Sequence, residues 1–335
     1  PFTVQNTEVT LGAGSVVYGS DAIGGVMSFY TKKPQLSYKD DLFLKANVLT
    51  RHATANNEKT GHFDFNLGYK KWAFLTSVSY TDFDDLRMGS KGPLDYLRNE
   101  YVVRENGEDI IRTNPNPQVQ VPTGYNQVNL MQKVRYEPSD NLNFDLGLYF
   151  STTSDYPRYD RLIRPRGELL RSAKWQYGPQ QWFMGNLQLT KMSSSSNLYD
   201  KLQATAAYQN FQESRSDRDF QSALREVRSE NVDALSFNLD LEKRLSSKTS
   251  LFYGIEYLYN TVGSKGREDN IDTNTSVANV TRYPNGSNWQ SMAGYASLKY
   301  KPNATFVFQS GLRYNQVIAN ADFTENNVFL NLPFN

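Results

Sequence analysis

The glycine-rich stretch GAGSVVYGS, residues 12–20, is the first segment of the chain whose residue types could do chemistry. It follows the apolar run at residues 9–11, and a strand that leads into a Gly-x-Gly turn is how a dinucleotide-binding unit cradles its phosphates. That motif needs a third glycine at position 17, where Val17 stands. Gly19, Gly24 and Gly25 also interrupt the helix that should follow. The pattern therefore disfavours a nucleotide site.

A second candidate site is the segment at residues 155–175, where basic and aromatic side chains alternate. Guanidinium groups bind oxyanions through paired hydrogen bonds and stack on aromatic rings. The segment therefore predicts contact with an anionic, flat ligand, and a solvated loop of the same composition is the alternative. The predicted contact residues are Tyr156, Arg158, Tyr159, Arg161, Arg164, Arg166 and Trp175.

Little in the sequence supports catalysis or a resident metal. There is no cysteine, which excludes disulfides, thiolate ligands and cysteine nucleophiles. No Gly-x-Ser-x-Gly elbow and no histidine-based zinc motif occurs, so we expect no enzyme activity. The carboxylate-rich segments 82–122 and 212–233 lack the regular oxygen-ligand spacing of a calcium loop, and no metal site is predicted.

The composition of the 335 residues is unusual because aromatic residues reach 13% while the mean hydropathy is only −0.63. A soluble globule needs more aliphatic residues for its core than this balance allows. The net charge of +1 points to no strong overall attraction for nucleic acid. No run approaches the roughly 20 apolar residues of a membrane-spanning helix, so a helical membrane protein is excluded.

From about residue 42 onward the dominant hydrophobic period is two, which predicts strands with one apolar and one polar face. In residues 142–150, for example, the apolar Leu142, Phe144, Leu146, Leu148 and Phe150 occupy alternate positions. Short connections near residues 70, 139, 196, 247 and 302 alternate with long polar segments at 84–122, 152–180, 212–232 and 261–290, and with one that starts near 317. The pattern predicts about eleven antiparallel strands of roughly ten residues each.

Strands of this length match a tilted bilayer crossing, whereas the strands of a soluble β-sandwich, the alternative, are typically five or six residues long. The polar face carries residues that a dry core would not accept, such as Asp145, Asp240, Glu256 and Arg313. Aromatic residues recur near the predicted strand ends, as in the interfacial girdles of outer-membrane barrels. We therefore predict an all-β fold, a transmembrane antiparallel β-barrel.

The segment EVTLGAGSVVYGSDAIGGVMSFYTKKP, residues 8–34, closely resembles the end of the plug domain of TonB-dependent outer-membrane receptors. It predicts a strand, a helical turn at Ser15–Tyr18 and a second strand. The residues that carry the resemblance are Gly12, Gly14, Tyr18, Gly19, Ser20, Asp21, Gly24 and Gly25. One departure is Leu11, which stands where the family usually has arginine.

The resemblance implies that residues 1–34 are the end of a plug and that residues 35–335 are the first half of a 22-stranded barrel in the outer membrane of a Gram-negative bacterium. We then expect the TonB-contacting box to precede residue 1 and the remaining strands to follow residue 335. The implied partners are outer-membrane lipid, TonB and a ligand that is an iron complex or a haem protein. The implied function is active uptake of a scarce iron complex, with no permanently bound cofactor.

Two further motifs, STTSDYPRYDRLIR at 151–164 and AKWQYGPQQW at 173–182, resemble the haem and haemoglobin branch of this family. Haem or a ferric siderophore is therefore the expected transported ligand, and His52, in the first outer loop, is a candidate haem ligand. A basic face for the anionic sugars of the outer leaflet is another interpretation of residues 155–175. A glycan or peptide importer of the same architecture and a passive porin remain alternatives for the whole chain.

Overall fold

The computed structural model describes residues 2–11, 14–19, 22–37, 41–331 and 333. Gly12, Ser20 and Asp21 of the plug-like motif lie outside these residues. The described part begins with an N-terminal hairpin, in which strand β1 (Val4–Leu11) pairs antiparallel with β2 (Gly25–Thr31). The short helix α1 (Ser15–Tyr18) lies between them. The predicted strand, helical turn and strand are therefore confirmed.

Eleven antiparallel strands form one continuous sheet, here called the wall, and each pairs with its neighbour along the chain. This number and order confirm the prediction. In chain order they are β3 (Phe43–Ala53), β4 (Glu58–Tyr69), β5 (Trp72–Phe83), β6 (Tyr125–Ser139), β7 (Leu142–Thr153), β8 (Gln181–Met192), β9 (Lys201–Asp219), β10 (Leu224–Ser246), β11 (Thr249–Asn270), β12 (Ser287–Tyr300) and β13 (Phe308–Asn320).

The connections at one end of the wall are short, and three of those at the other end, 84–124, 154–180 and 271–286, contain structure of their own. We call these the inner end and the outer end, because outer-membrane barrels have short periplasmic turns and longer extracellular loops. The outer segments hold a 3₁₀ helix, two α-helices and several short strands. They are Leu86–Arg87, Leu94–Tyr96 (3₁₀), Glu100–Glu105, Glu108–Thr113, Val119–Gln120, Tyr156–Pro157, α2 (Tyr159–Leu162), Pro165–Arg166, Leu169–Leu170, Ser172–Tyr177, Thr275–Ala278 and α3 (Thr324–Leu330).

The prediction that residues 212–232 form a loop is wrong, and so is the uniform strand length of about ten. Strands β9 and β10 pair without interruption from Lys201–Glu242 to Arg218–Arg225, and β11 continues to Asn270. These three strands have 19, 23 and 22 residues. Beyond the bilayer both faces of a strand meet water, so the alternation of polarity ends although the hydrogen-bonded ladder continues. The loop predicted from 317 likewise begins only after β13 ends at Asn320.

The two faces of the wall have opposite polarity, and the polar face is the covered one. On β4 the side chains of Thr60, His62, Asp64 and Asn66 are buried, whereas Phe63 between them is exposed. The same holds across the wall, where the exposed residues include Val78, Leu130, Leu146, Leu187, Leu235, Phe237, Ile255, Met292 and Leu312. Exposed apolar residues on one face of every wall strand are what contact with lipid requires.

Aromatic rings mark both borders of this apolar band. At the inner end Trp72 stacks on Tyr136 with ring centroids 4.2 Å apart, and Phe144 extends the row. At the outer end Phe183 packs beside Tyr208. Aromatic residues at these two levels match the interfacial girdles of outer-membrane barrels.

A charge placed on the apolar face should be far more costly than one on the polar face. Leu187 lies mid-strand on the apolar face, and the next residue, Gln188, faces the other side and approaches Thr205. We expect Leu187→Arg to lower the free energy of unfolding in lipid by about 2–4 kcal/mol. We expect Gln188→Arg to change it much less. Urea titration in lipid vesicles measures both, and equal losses would contradict the assignment of the faces.

Candidate functional site

The N-terminal hairpin is attached to the polar face of the wall by charged and hydrogen-bonding side chains. Asp64 on β4 accepts hydrogen bonds from Lys32 Nζ at 2.7 Å and Asn47 Nδ2 at 2.8 Å, and its Oδ2 lies 2.9 Å from His62 Nε2. The Asp64 side chain is only 4% exposed. Three side chains converge on this buried carboxylate, so Asp64 is the centre of the first attachment point.

Two neighbouring wall residues hold the chain on either side of Lys32. Lys133 on β6 donates to Thr31 Oγ1 at 2.6 Å and to the carbonyl of Lys32 at 2.9 Å. Asn66 exchanges two hydrogen bonds with the backbone of Gln35, at 2.7 and 2.9 Å. These bonds fix the segment that leaves β2, and they satisfy backbone groups that the wall would otherwise bury unpaired.

A second attachment point holds α1 on the opposite part of the wall. Arg313 on β13 donates to the carbonyl of Val17 at 3.4 Å and forms an ion pair with Glu256 on β11 at 2.8 Å. Close packing here requires glycine at position 311, because a Cβ there would lie 2.8 Å from the Val16 side chain. The α1 helix itself is followed by Gly19, whose φ of +98° favours glycine.

Space remains between α1 and the wall. A cavity of about 580 Å³ opens beside Tyr18, and carboxylates and ammonium groups of β9 to β12 line much of it. Its charged lining comprises Lys201, Asp240, Glu242, Glu256 and Lys299. Such a lining holds water, so the hairpin and the wall meet across a partly hydrated interface.

Aromatic side chains form a continuous row at the outer end of the polar face. It starts at Phe83 on β5 and Tyr125 on β6, whose ring centroids are 4.7 Å apart. It continues through Tyr156 and Tyr177 and ends at Trp175, with successive centroids 5.8, 5.7 and 5.3 Å apart. The row connects the wall with the outer segment 154–180, and burial raises the pKa of Tyr156 within it.

Three guanidinium groups surround the end of this row, and we call the group of Arg158, Arg161, Arg215, Trp175 and Tyr177 the arginine–tryptophan cluster. The guanidinium carbons of the three arginines lie 5.1, 5.7 and 5.4 Å from the Trp175 ring centroid. Both Arg158 and Arg215 also donate to the Tyr177 hydroxyl at 2.8 Å. Cation–π contacts of this kind hold the arginines in place.

The arginines of the cluster differ in how fully they are paired. Arg158 forms two hydrogen bonds to Asp160, which lower the pKa of that carboxyl. Arg161 has only a distant contact with Asp160, at 3.6 Å, and Arg215 has no ion pair within the described residues. The Nε atoms of Arg161 and Arg215 are buried and have no hydrogen-bond partner in the described part of the chain. Within the described residues, neither of these two guanidinium groups therefore has a carboxylate within hydrogen-bond distance.

The other four predicted contact residues lie outside the cluster. Tyr156 belongs to the aromatic row, and the remaining three make contacts elsewhere. Tyr159 packs against the buried Arg98, Arg164 bonds the backbone of Asp160, and Arg166 pairs with Asp219 at 2.8 Å. His52 lies at the outer end of β3 and bonds Asn57 at 3.0 Å. Its neighbours in the ladder place it on the apolar face of the wall.

Sequence reasoning missed Arg215, Tyr177 and the first two rings of the row. Arg215 and Tyr177 are register partners in the ladder between strand Ser172–Tyr177 and β9. The sequence pattern predicts a loop at residue 215, and no signal in the sequence aligns this residue with Tyr177. The alternation on β5 places Phe83 on the face opposite Tyr80, so the position of Phe83 on the polar face is predictable from the sequence.

A buried ion pair fastens the hairpin of residues 100–113 to the outer part of β9. Asp109 accepts hydrogen bonds from Arg218 at 2.6 and 2.7 Å and from the backbone of Gln221 at 2.8 Å. Burial alone would raise the pKa of Asp109, but the bonds from Arg218 and Gln221 outweigh it and hold the pKa below its usual range. This contact joins two outer segments that are distant in the sequence.

Comparison with known proteins agrees with this architecture. Residues 189–332 match the outer membrane protein beta-barrel family. The copper transporter OprC has the same fold, with a TM-score of 0.71 and 13% identity over 96% of this chain and 43% of its own. The FrpB iron transporter from Neisseria meningitidis aligns with a TM-score of 0.66 and 16% identity over 95% and 47% of the two chains.

A third similar structure is a double mutant of the Serratia marcescens hemophore receptor HasR in complex with its hemophore HasA and heme. It aligns with a TM-score of 0.62 and 12% identity over 94% of this chain and 40% of its own. The chain thus spans less than half the length of each of these proteins. No curated protein sequence matches it. In the described residues, no helix is long and apolar enough to cross a membrane.

The wall, its inverted polarity and these comparisons define the class of protein. Residues 189–332 match an outer-membrane β-barrel family, and the described residues have the fold of the TonB-dependent receptors. The receptor fold that residues 8–34 implied is therefore confirmed, and the assignment of residues 1–34 to the end of a plug stays a prediction.

Removing the charge of Asp64 should loosen the N-terminal hairpin. In Asp64→Asn, Lys32 loses its ion pair inside the wall, which costs roughly 1–3 kcal/mol of local stability. We expect hydrogen exchange at the amides of β1 and β2 to become roughly ten- to a hundredfold faster. The control is Asp145→Asn, because Asp145 pairs with Arg135 of the neighbouring wall strand. Equal exchange in both variants would contradict the attachment role of Asp64.

Protonating or neutralising Asp109 should release the 100–113 hairpin. Because the pKa of Asp109 is lower in the folded protein, its contribution is complete above its unfolded value of about 3.9 and is lost as the pH falls through the folded value. Asp109→Asn leaves Arg218 buried without a counter-charge, a loss of roughly 3–5 kcal/mol.

Limited proteolysis of residues 99–114 measures this release. The variant should be cut rapidly at pH 7, whereas the original protein should be cut only below about pH 4. Glu105→Gln removes a surface pair with Arg112 and should change little. Equal protection of Asp109→Asn and the original protein would show that the ion pair does not hold the hairpin.

Proposed function

We propose that the chain is part of an outer-membrane receptor that takes up a scarce iron complex by active transport. Residues 1–34 would be the end of its plug, and residues 35–335 part of its barrel. Energy delivered by TonB to a segment of the plug would rearrange the hairpin against the wall. The polar attachment points suit this role, because hydrogen bonds to Lys32 and Val17 can be exchanged for bonds to water at modest cost.

The observation that carries the ligand class is the arginine–tryptophan cluster. The guanidinium groups of Arg161 and Arg215, which lack a close carboxylate and lie beside an aromatic row, favour a flat anionic ligand, with guanidinium groups on its carboxylates or phenolates and rings against its plane. The propionates of haem and the rings of a ferric catecholate siderophore both meet this description. Similar structures include the iron transporter FrpB and the hemophore receptor HasR, which is bound to HasA and heme.

Uptake of radioactive iron by iron-limited cells tests the proposal. With haem or a ferric catecholate as the iron source, deletion of the gene should abolish uptake from at least one of them. Unchanged uptake of every iron complex would overturn the proposed function. Growth on a glycan or peptide that depends on the gene would favour the alternative importer.

Single substitutions in the cluster should weaken capture. We expect Arg215→Gln to raise the ligand concentration for half-maximal uptake about tenfold, because a charge-assisted hydrogen bond is lost. Trp175→Ala should raise it at least as much, since it removes the surface on which the guanidinium groups rest. The control is Arg112→Gln, since Arg112 forms an exposed ion pair with Glu105 on the surface of the 100–113 hairpin. If uptake by both cluster variants equals that of the control, the cluster is not part of the binding site.

A further inference from the structure

Three cations lie side by side on the outer part of the sheet, on the face opposite the arginine–tryptophan cluster. Lys174 on strand Ser172–Tyr177 is the register partner of Arg218 on β9, and Arg218 is the partner of Arg225 on β10. Register partners on neighbouring strands point to the same side and lie close together, and like charges in such pairs are destabilising. The row therefore needs anions.

The carboxylates nearby neutralise only part of this row. Asp109 forms an ion pair with Arg218, and Asp269 on β11 forms an ion pair with Arg225 at 2.9 Å. The Nε atom of Arg225 is nevertheless buried without a hydrogen-bond partner within the described residues. Lys174 forms no hydrogen bond or ion pair there. Burial and the neighbouring Arg225 lower the pKa of the Lys174 ammonium more than Asp155 raises it.

Lys174 and Arg225 line one cavity. It has a volume of about 270 Å³, and its lining comes from four separate segments of the outer region. The 100–113 hairpin contributes Arg104, strand Ser172–Tyr177 contributes Lys174, and β9 and β10 contribute Arg218 and Arg225. Ile271 and two valines of the hairpin make up apolar walls, which strengthen electrostatic attraction inside by excluding water.

We propose that this cavity is a binding site for a phosphate group, held by Lys174 Nζ and the Arg225 guanidinium group. A tetrahedral oxyanion with several acceptor oxygens satisfies both donors at once and compensates the row of like charges. Because the lining comes from four chain segments, a bound anion would hold these segments together. Free phosphate and phosphate carried on a sugar, as in the glycolipid of the outer leaflet, share this chemistry.

Calorimetric titration of the protein, purified from outer membranes in detergent, tests the proposal. Inorganic phosphate and glucose 1-phosphate are the two probes, at constant ionic strength set with sodium chloride. Binding of either supports the site, and the tighter one identifies the source of the phosphate. Binding of neither overturns it.

Substitution of Lys174 separates this site from general attraction to a basic surface. Lys174→Gln should weaken phosphate binding about tenfold or more, because one charged donor is lost. Lys265→Gln is the matched control, since Lys265 is an exposed lysine on the same face of β11 and does not line this cavity. Equal binding by the two variants would contradict the assignment.

A stability readout excludes a merely structural role for Lys174. Without phosphate, Lys174→Gln relieves like-charge repulsion and should unfold at the same temperature as the original protein or higher. With phosphate, the original protein should gain thermal stability and the variant should not. A variant that is less stable without phosphate, or that gains as much from it, would contradict the proposal.

Discussion

The arrangement of the molecule follows from the reversed polarity of one sheet. One face of the wall carries most of its polar residues, and the other face carries exposed apolar residues, as the buried Asp64 and the exposed Phe63 on β4 illustrate. Such a sheet is unstable in water, because its apolar face has nothing to cover it. It is stable where lipid contacts that face and a hydrated polar body fills the other. The outer membrane provides the lipid, and the N-terminal hairpin provides part of the hydrated polar body.

A polar interior also determines what kind of contact the hairpin can make. Its attachment points are ion pairs and hydrogen bonds around Asp64, Lys133 and Arg313, and a cavity remains beside α1. A closely packed apolar interface would have to be broken as a unit, with the loss of all its buried area. Individual hydrogen bonds can be replaced by water one at a time. The interface is therefore held by several polar contacts, and each of them can be exchanged for a contact with water.

Much of the architecture was predictable because it depends on local patterns. Period-two alternation located the eleven wall strands and the short inner turns, and residues 8–34 predicted the hairpin with its helical turn. The failures lie beyond the bilayer. There Ser229 and Glu230 are consecutive polar residues on opposite faces of β10, so nothing in their polarity reveals that the strand continues through them.

The candidate ligand site was predictable only in part for the same reason. Basic and aromatic residues near Trp175 could be read from one segment, but Arg215 and Tyr125 come from strands that the fold brings to it. Ion pairs such as that between Asp109 and Arg218 join residues more than a hundred positions apart. A single sequence carries no signal that predicts such a pairing. The residue types of a segment indicate which ligands they can bind, whereas the strand register determines which residues lie together.

The absence of cysteine allows the central claim to be measured directly. Single cysteines placed in turn at residues 235–242 of β10 can carry a spin label in lipid vesicles. Collision rates with oxygen, which concentrates in lipid, and with a water-soluble nickel complex then report the environment of each position. The account predicts strict alternation, with positions 235, 237, 239 and 241 in lipid and the even positions in water. Equal accessibility of neighbouring positions to both reagents would contradict it.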